Sequence, residues 1–312
     1  MDVDQSLEQI KQPEKKAPTK KAEEPKPNSS LHDRLITAGV GLTIMAVWLI
    51  FFKTILLNIV LAALGVFLLY EMLSVTRCMK NLFVLLLSFF YAASVPFLVF
   101  PTPGLDLTLY YEFATFAYLL CMFIVYLTQH REMHFEDVSF SAFATLTIPA
   151  SLSFAIRLRE TFPEDGLFFF LLALGGAWLT DTSSYFVGTM FGRHKLCPEI
   201  SPKKTVEGFF GGIIGSTLLC MAMGGVYSLI CGLKGAPIGV SYWQMAIFGA
   251  TAALAAVLGD LSASMIKRQC GVKDYGTILP GMGGGMDRFD SVLLVLPYTY
   301  FFLQLFPILS RI

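Results

Sequence analysis

Leu167-Phe168-Phe169-Phe170-Leu171-Leu172-Ala173-Leu174-Gly175-Gly176-Ala177-Trp178-Leu179-Thr180 carries no charge, and Asp181 follows it directly. The apolar run continues to Phe191, which exceeds the roughly 20 residues needed to cross a hydrocarbon core of about 30 Å. Backbone amides find no water in lipid, so such a run is expected as a helix. Comparable runs precede it near 35–52, 54–75, 82–100, 109–128 and 138–157, and follow it near 208–232, 243–265 and 290–309. The chain therefore reads as an all-α, polytopic integral membrane protein of about nine transmembrane helices.

Composition agrees. Of 312 residues, 55% are hydrophobic and 15% charged, with a mean hydropathy of +0.63. A soluble domain carries about 25% charged residues. Residues 1–30 hold many lysines and glutamates and almost no large apolar residue after Ile10. That stretch buries too little surface to offset its ordering entropy and is expected as a disordered cytosolic tail. It lacks the apolar region of a signal peptide, and Glu14, Glu23 and Glu24 argue against a transit peptide. Residues 31–312 are expected to form the membrane domain, with N-terminal helices over 35–157 and a C-terminal part over 167–309 that holds the candidate chemistry below.

With nine crossings, 18 of the 23 lysines and arginines fall on the side of the N-terminus. The positive-inside bias places that side in the cytosol, with the loops at 193–207 and 266–289. The six cysteines form no CxxC pair and read as small hydrophobes. Gly208, Gly211, Gly212 and Gly215 have the small-xxx-small spacing of closely packed helices.

Two carboxylates interrupt the apolar runs. Asp181 follows Thr180, and Asp260 follows Ala255-Ala256-Val257-Leu258-Gly259. An intramembrane carboxylate is a functional candidate, the plainer reading being a helix end hydrated at the interface. In a helix, Asp260, Ser264, Lys267 and Arg268 share one face. A carboxylate, a hydroxyl and two cations on one stripe suit a Mg²⁺-bound phosphate; the alternative is a basic helix end facing anionic lipid.

Lys273-Asp274 then leads to Pro280-Gly281-Met282-Gly283-Gly284-Gly285-Met286-Asp287-Arg288-Phe289-Asp290. Glycines there would let backbone N–H groups approach an anion. Asp287 and Asp290 could supply a second metal-binding carboxylate. A third element is Ser201-Pro202-Lys203-Lys204-Thr205-Val206-Glu207-Gly208. Ser201 is expected to cap a helix starting at Pro202, with Lys204 and Thr205 near its positive end, an arrangement that suits a triphosphate.

These three elements together resemble the signature of the phosphatidate cytidylyltransferases. Ser264, Lys267, Arg268, Lys273, Asp274, Gly276, Pro280, Gly283, Gly284, Asp287, Arg288 and Asp290 stand in its register. Leu258–Leu261, Ser201–Gly208 and Asp181–Gly188 match as well, so the resemblance covers about the C-terminal 40% of the chain. It implies transfer of CMP from CTP to phosphatidic acid, giving CDP-diacylglycerol and pyrophosphate, in a Mg²⁺-requiring homodimer. Carried over, Asp260 and Asp287 would bind metal, with Ser264, Lys267 and Arg268 on phosphates and Lys204 on the nucleotide. Met282 stands where the family has histidine, and Gly285 replaces an apolar residue.

The partners expected are CTP, phosphatidic acid and the bilayer, with no nucleic acid; the location expected is a bacterial inner membrane. A CTP-dependent polyprenol or phytol kinase is the nearest rival, and the full Ser264–Asp290 string argues against it. A transporter or scaffold is the rival from another class, but the charges cluster at one face and line no path across. His130 and His134, at i and i+4, read as surface-loop residues.

Overall fold

The computed structural model describes residues 49–75, 81–100, 107–276 and 283–311, together with Gly39 and Thr43. Eight helices stand among them: α1 (Leu56–Ser74), α2 (Leu82–Leu98), α3 (Leu107–Thr128), α4 (Phe135–Thr161), α5 (Gly166–Phe191), α6 (Val206–Leu233), α7 (Tyr242–Gln269) and α8 (Met286–Leu305). Each matches an expected run. The ninth run, 35–52, lies largely outside the described residues, as do the tail and Met282. Six of the eight are long and apolar enough to span a membrane by length and composition. Of the others, α2 is apolar but has 17 residues, and α8 opens on Asp287, Arg288 and Asp290.

What faces outward is as apolar as what faces inward. Phe90, Phe113, Leu127, Leu218, Leu229 and Trp243 are all exposed. A soluble bundle would turn charged faces to water; large apolar side chains exposed along so many helices are the surface of a protein solvated by lipid. Inside, Phe52, Leu57, Leu68, Phe170, Leu172 and Phe248 form one large core, and Tyr91, Tyr118 and Met122 a smaller one between α2 and α3.

Buried polar contacts fix the alternation of the helices. At one end, Arg159 of α4 is 5% exposed and donates to the carbonyls of Phe52 and Thr54 and to Asn58 Oδ1. Asn58 Nδ2 donates in turn to the Pro96 carbonyl at 2.7 Å. At the other end, the amide of Met286 in α8 donates to Glu71 of α1. Consecutive helices therefore run antiparallel, and 193–207 and 266–276 lie at the same end.

Two short hairpins interrupt the helical plan. β1 (Lys195–Cys197) pairs antiparallel with β2 (Ser201–Thr205), and β3 (Ile238–Val240) pairs with β4 (Leu309–Arg311) at the opposite end. The first hairpin corrects an expectation. Ser201 does not cap a helix at Pro202: Ser201–Thr205 is extended, and Thr205 caps α6 by accepting from the Gly208 amide at 3.1 Å. Lys195 pairs with Thr205 in register, so ladder bonds hold the segment extended up to the cap.

The glycines of α6 do pack as expected. A Cβ at Gly208 would lie 2.7 Å from the Ser184 carbonyl, and one at Gly211 would lie 2.4 Å from Val187 Cβ. This seam draws α5 and α6 together at the end where Thr180–Gly188 meets the β1–β2 hairpin.

Candidate functional site

Between α5, β2 and the starts of α6 and α8 opens a cleft of about 550 Å³, closed at its side by α7. At 1.5 Å per residue, Asp181 and Asp260 lie about 14–15 Å below the ends of α5 and α7. Those helices have 26 and 28 residues, and so exceed the hydrocarbon core. The cleft therefore descends from the polar end of the bundle into the part of α5 and α7 that is flanked by apolar sequence.

Its cations and carboxylates are paired across elements. Lys204 Nζ, at the end of β2, lies 2.5 Å from Asp260 Oδ2, while Ser264 Oγ donates to Asp260 Oδ1 at 3.2 Å. Lys267 Nζ donates to Asp287 Oδ1 at 2.6 Å, both side chains being 10% exposed. Asp287 Oδ2 accepts the amides of Tyr275 and Gly284 at 3.1 and 3.2 Å. Asp290 is buried, its Oδ1 taking the Ser291 amide at 2.7 Å, and Ser291 Oγ reaches Asp181 Oδ2 at 3.1 Å. Asp181, Asp260 and Asp290 sit close enough to repel one another, relieved in part by Lys204 and Lys267. Beside the cleft, Tyr275 donates its hydroxyl to the Ala263 carbonyl. Burial, and then Asp287, push that phenol above its ordinary range and keep it a donor.

The cleft wall thus gathers Asp181, Lys204, Thr205, Asp260, Lys267, Asp287, Arg288 and Asp290 from the residues singled out by sequence. Five others stand off it. Ser264 is buried behind Asp260, and Ser201 sits at the far end of β2. Arg268 donates Nε to the Ile200 carbonyl at 3.2 Å and so ties α7 to the hairpin. Lys273 and Asp274 are exposed on the loop after α7. Arg288 also contributes its carbonyl, which accepts from Trp178 Nε1 at 3.1 Å.

Of the glycine stretch expected to cradle an anion, 280–282 lie outside the described residues. The amides of Gly284 and Met286 are already taken by Asp287 and Glu71. Gly283 has φ +86°, and a Cβ at Gly284 would lie 2.8 Å from the Gly276 amide nitrogen. These glycines let backbone pack on backbone and on carboxylate. His130 and His134 are exposed, the first hydrogen-bonded to the Leu127 carbonyl.

Sequence reasoning missed Lys195 and Lys203, which line the cleft mouth, and Gly259. A Cβ at Gly259 would lie 2.6 Å from the Asp290 carbonyl and 3.0 Å from Ser291 Cα. Its absence brings Asp260 of α7 beside Asp290 of α8. Gly259→Val is expected to force these backbones apart and lose about 1–3 kcal/mol. Thermal unfolding in detergent would check this; an unchanged midpoint would mean that α7 and α8 separate at no cost.

The sequence is similar to known proteins over most of its length. The family model for the cytidylyltransferases matches residues 32–306. The phosphatidate cytidylyltransferase of Bacillus subtilis (strain 168) is 33% identical over 280 residues, 88% of this chain and 98% of the relative. Those of Staphylococcus saprophyticus and Staphylococcus aureus (strain COL) are 38% and 39% identical over 163 residues, 52% of this chain and 58% of each relative. The matched span runs through every described helix and takes in the whole charged wall of the cleft, so this chain belongs to the cytidylyltransferase family.

Proposed function

We propose that this membrane protein is a phosphatidate cytidylyltransferase, transferring CMP from CTP to phosphatidic acid to give CDP-diacylglycerol and pyrophosphate. The observation that carries it is the cleft, where lysines and carboxylates meet between the ends of apolar helices. A substrate with two acyl chains keeps them in lipid there while a water-soluble nucleotide reaches the same point from the polar side. The family membership and the relatives' names support the reading.

A phosphate oxygen of the lipid attacks the α-phosphorus of CTP; the new P–O bond forms as the α–β anhydride bond breaks, and pyrophosphate leaves. Both reactants are anions, so charge repulsion and alignment dominate the barrier. Lys204, Lys267 and Arg288 supply fixed positive charge toward the phosphates, with Lys195 and Lys203 at the mouth. The nucleophile is already ionised near neutral pH, so no strong general base is required.

Mg²⁺ fits the donor set: the carboxylates are oxygen-only and repel one another, which a hard divalent ion would relieve. No trio of His, Cys, Asp or Glu among the described residues is already spaced to hold a metal. Asp260, Asp287 and Asp290 would hold it, and when bound it would neutralise phosphate charge. Asp181 and Ser291 orient this group from α5 and α8, and Ser264 steadies Asp260 from one turn away.

A bacterial inner membrane is supported by the relatives' sources, and a cytosolic cleft by the charge bias across the ends. Homodimeric assembly rests on the resemblance alone. The decisive assay follows CTP- and Mg²⁺-dependent conversion of phosphatidic acid in membranes containing this chain. A cytidine-bearing lipid is expected; a phosphorylated product without cytidine would favour a kinase, and no product from CTP-binding protein would overturn the proposal.

A further inference from the structure

Glu71 belongs to none of the motifs above, yet it is 1% exposed and lies against the start of α8. It stands in the last turn and a half of α1, 215 residues from its partner: Oε2 accepts the Met286 amide at 2.7 Å. Met286 is the first residue of α8, whose cap position is Gly285, a residue with no side chain to satisfy the helix's free N–H groups. Glu71 therefore caps α8 from another helix, its negative charge at the positive end of the dipole. The loop is shaped around it. A Cβ at Gly276 would lie 2.4 Å from Glu71 Oε1, and one at Gly284 would lie 2.9 Å from Oε2. One turn earlier on α1, Phe67 fills the space beside Gly285, where a Cβ would lie 2.3 Å from its ring. The next residue after Met286 is Asp287, which holds Lys267, Tyr275 and Gly284.

We propose that Glu71 is a positioning residue, which clamps the first turn of α8 from α1 and so sets where Asp287 presents its carboxylate to the cleft. The kinetic side of this rests on the transferase reading above; the structural side does not. The N-terminal half of the chain thus contributes to the site one acceptor oxygen at a defined reach.

Reach and charge separate in two mild variants. Glu71→Gln keeps the length and an acceptor oxygen but loses the charge. Glu71→Asp keeps the charge but withdraws the oxygen by one methylene. With Glu71→Asp, hydrogen exchange over 283–288 is expected to quicken, and kcat to fall, at least about tenfold, with KM for phosphatidic acid unchanged. Glu71→Gln is expected to stay within about threefold of the parent in both readouts. A Glu71→Asp protein with parental exchange at 283–288 would overturn the proposal. So would a Glu71→Gln protein as open as Glu71→Asp, since the acceptor's reach would not then be what matters. If the parent itself has no transferase activity, that reading fails while the exchange measurement still decides this one.

Discussion

Asp287→Asn is expected to lower kcat/KM for CTP about a thousandfold while the protein remains folded, the scale of removing one preorganised electrostatic group. The two oxygens of Asp287 have separate tasks. Oδ2 accepts the amides of Tyr275 and Gly284, and an asparagine oxygen can take over both bonds. Oδ1 faces Lys267 Nζ at 2.6 Å, where an amide NH₂ would set donor against donor. The asparagine variant therefore spares the loop and strands the lysine. Asp287→Ala strands the lysine as well and also leaves the Tyr275 and Gly284 amides without their acceptor, which costs about 1–3 kcal/mol more in stability. Activity against phosphatidic acid and thermal unfolding of the two variants check the division. An asparagine variant retaining a tenth of parental activity would reduce Asp287 to a clasp for the loop.

How much of this could be read beforehand follows from what each signal depends on. Spanning helices are set by composition over about 20 residues, so eight of the expected runs appear within a few residues of their helices. Asp181 and Asp260 stood out because a charge in an apolar run is costly wherever it ends up. Glu71, inside Leu68-Leu69-Tyr70-Glu71-Met72-Leu73, sent the same signal and was passed over, having no motif beside it. Pairings made by tertiary contact were beyond reach. Lys204 meets Asp260 only because the β1–β2 hairpin carries the lysine within reach of α7, and Arg268 reaches the Ile200 carbonyl at the turn of the same hairpin. The Ser201 cap failed because capping preference is local, while strand pairing with Lys195–Cys197 decided the backbone. In the glycine loop, two of the N–H groups read as open to an anion, those of Gly284 and Met286, are met by protein carboxylates.

Lys204→Met is expected to reduce kcat/KM for CTP about a hundredfold or more, with little change in KM for phosphatidic acid. The Lys204 ammonium sits 2.5 Å from Asp260 Oδ2, and Thr205, the cap of α6, follows it immediately. That placement gives it two tasks: to offset the repulsion among Asp181, Asp260 and Asp290, and to present positive charge to a nucleotide. Methionine keeps the apolar stem and removes only the charge. The first task then has a readout that needs no turnover. Without the lysine the carboxylates repel one another more strongly, so the variant should unfold at lower temperature in chelator and gain more than the parent on adding Mg²⁺. Arginine should not restore full activity, because a planar fork is a poor substitute for a compact ammonium held against one oxygen. Equal Mg²⁺ stabilisation of variant and parent would mean that Lys204 does not neutralise these carboxylates. Lost CTP turnover beside that result would leave it a nucleotide contact alone. Both effects together would make the lysine a resident stand-in for the metal at Asp260, freed toward the phosphates as the cation arrives.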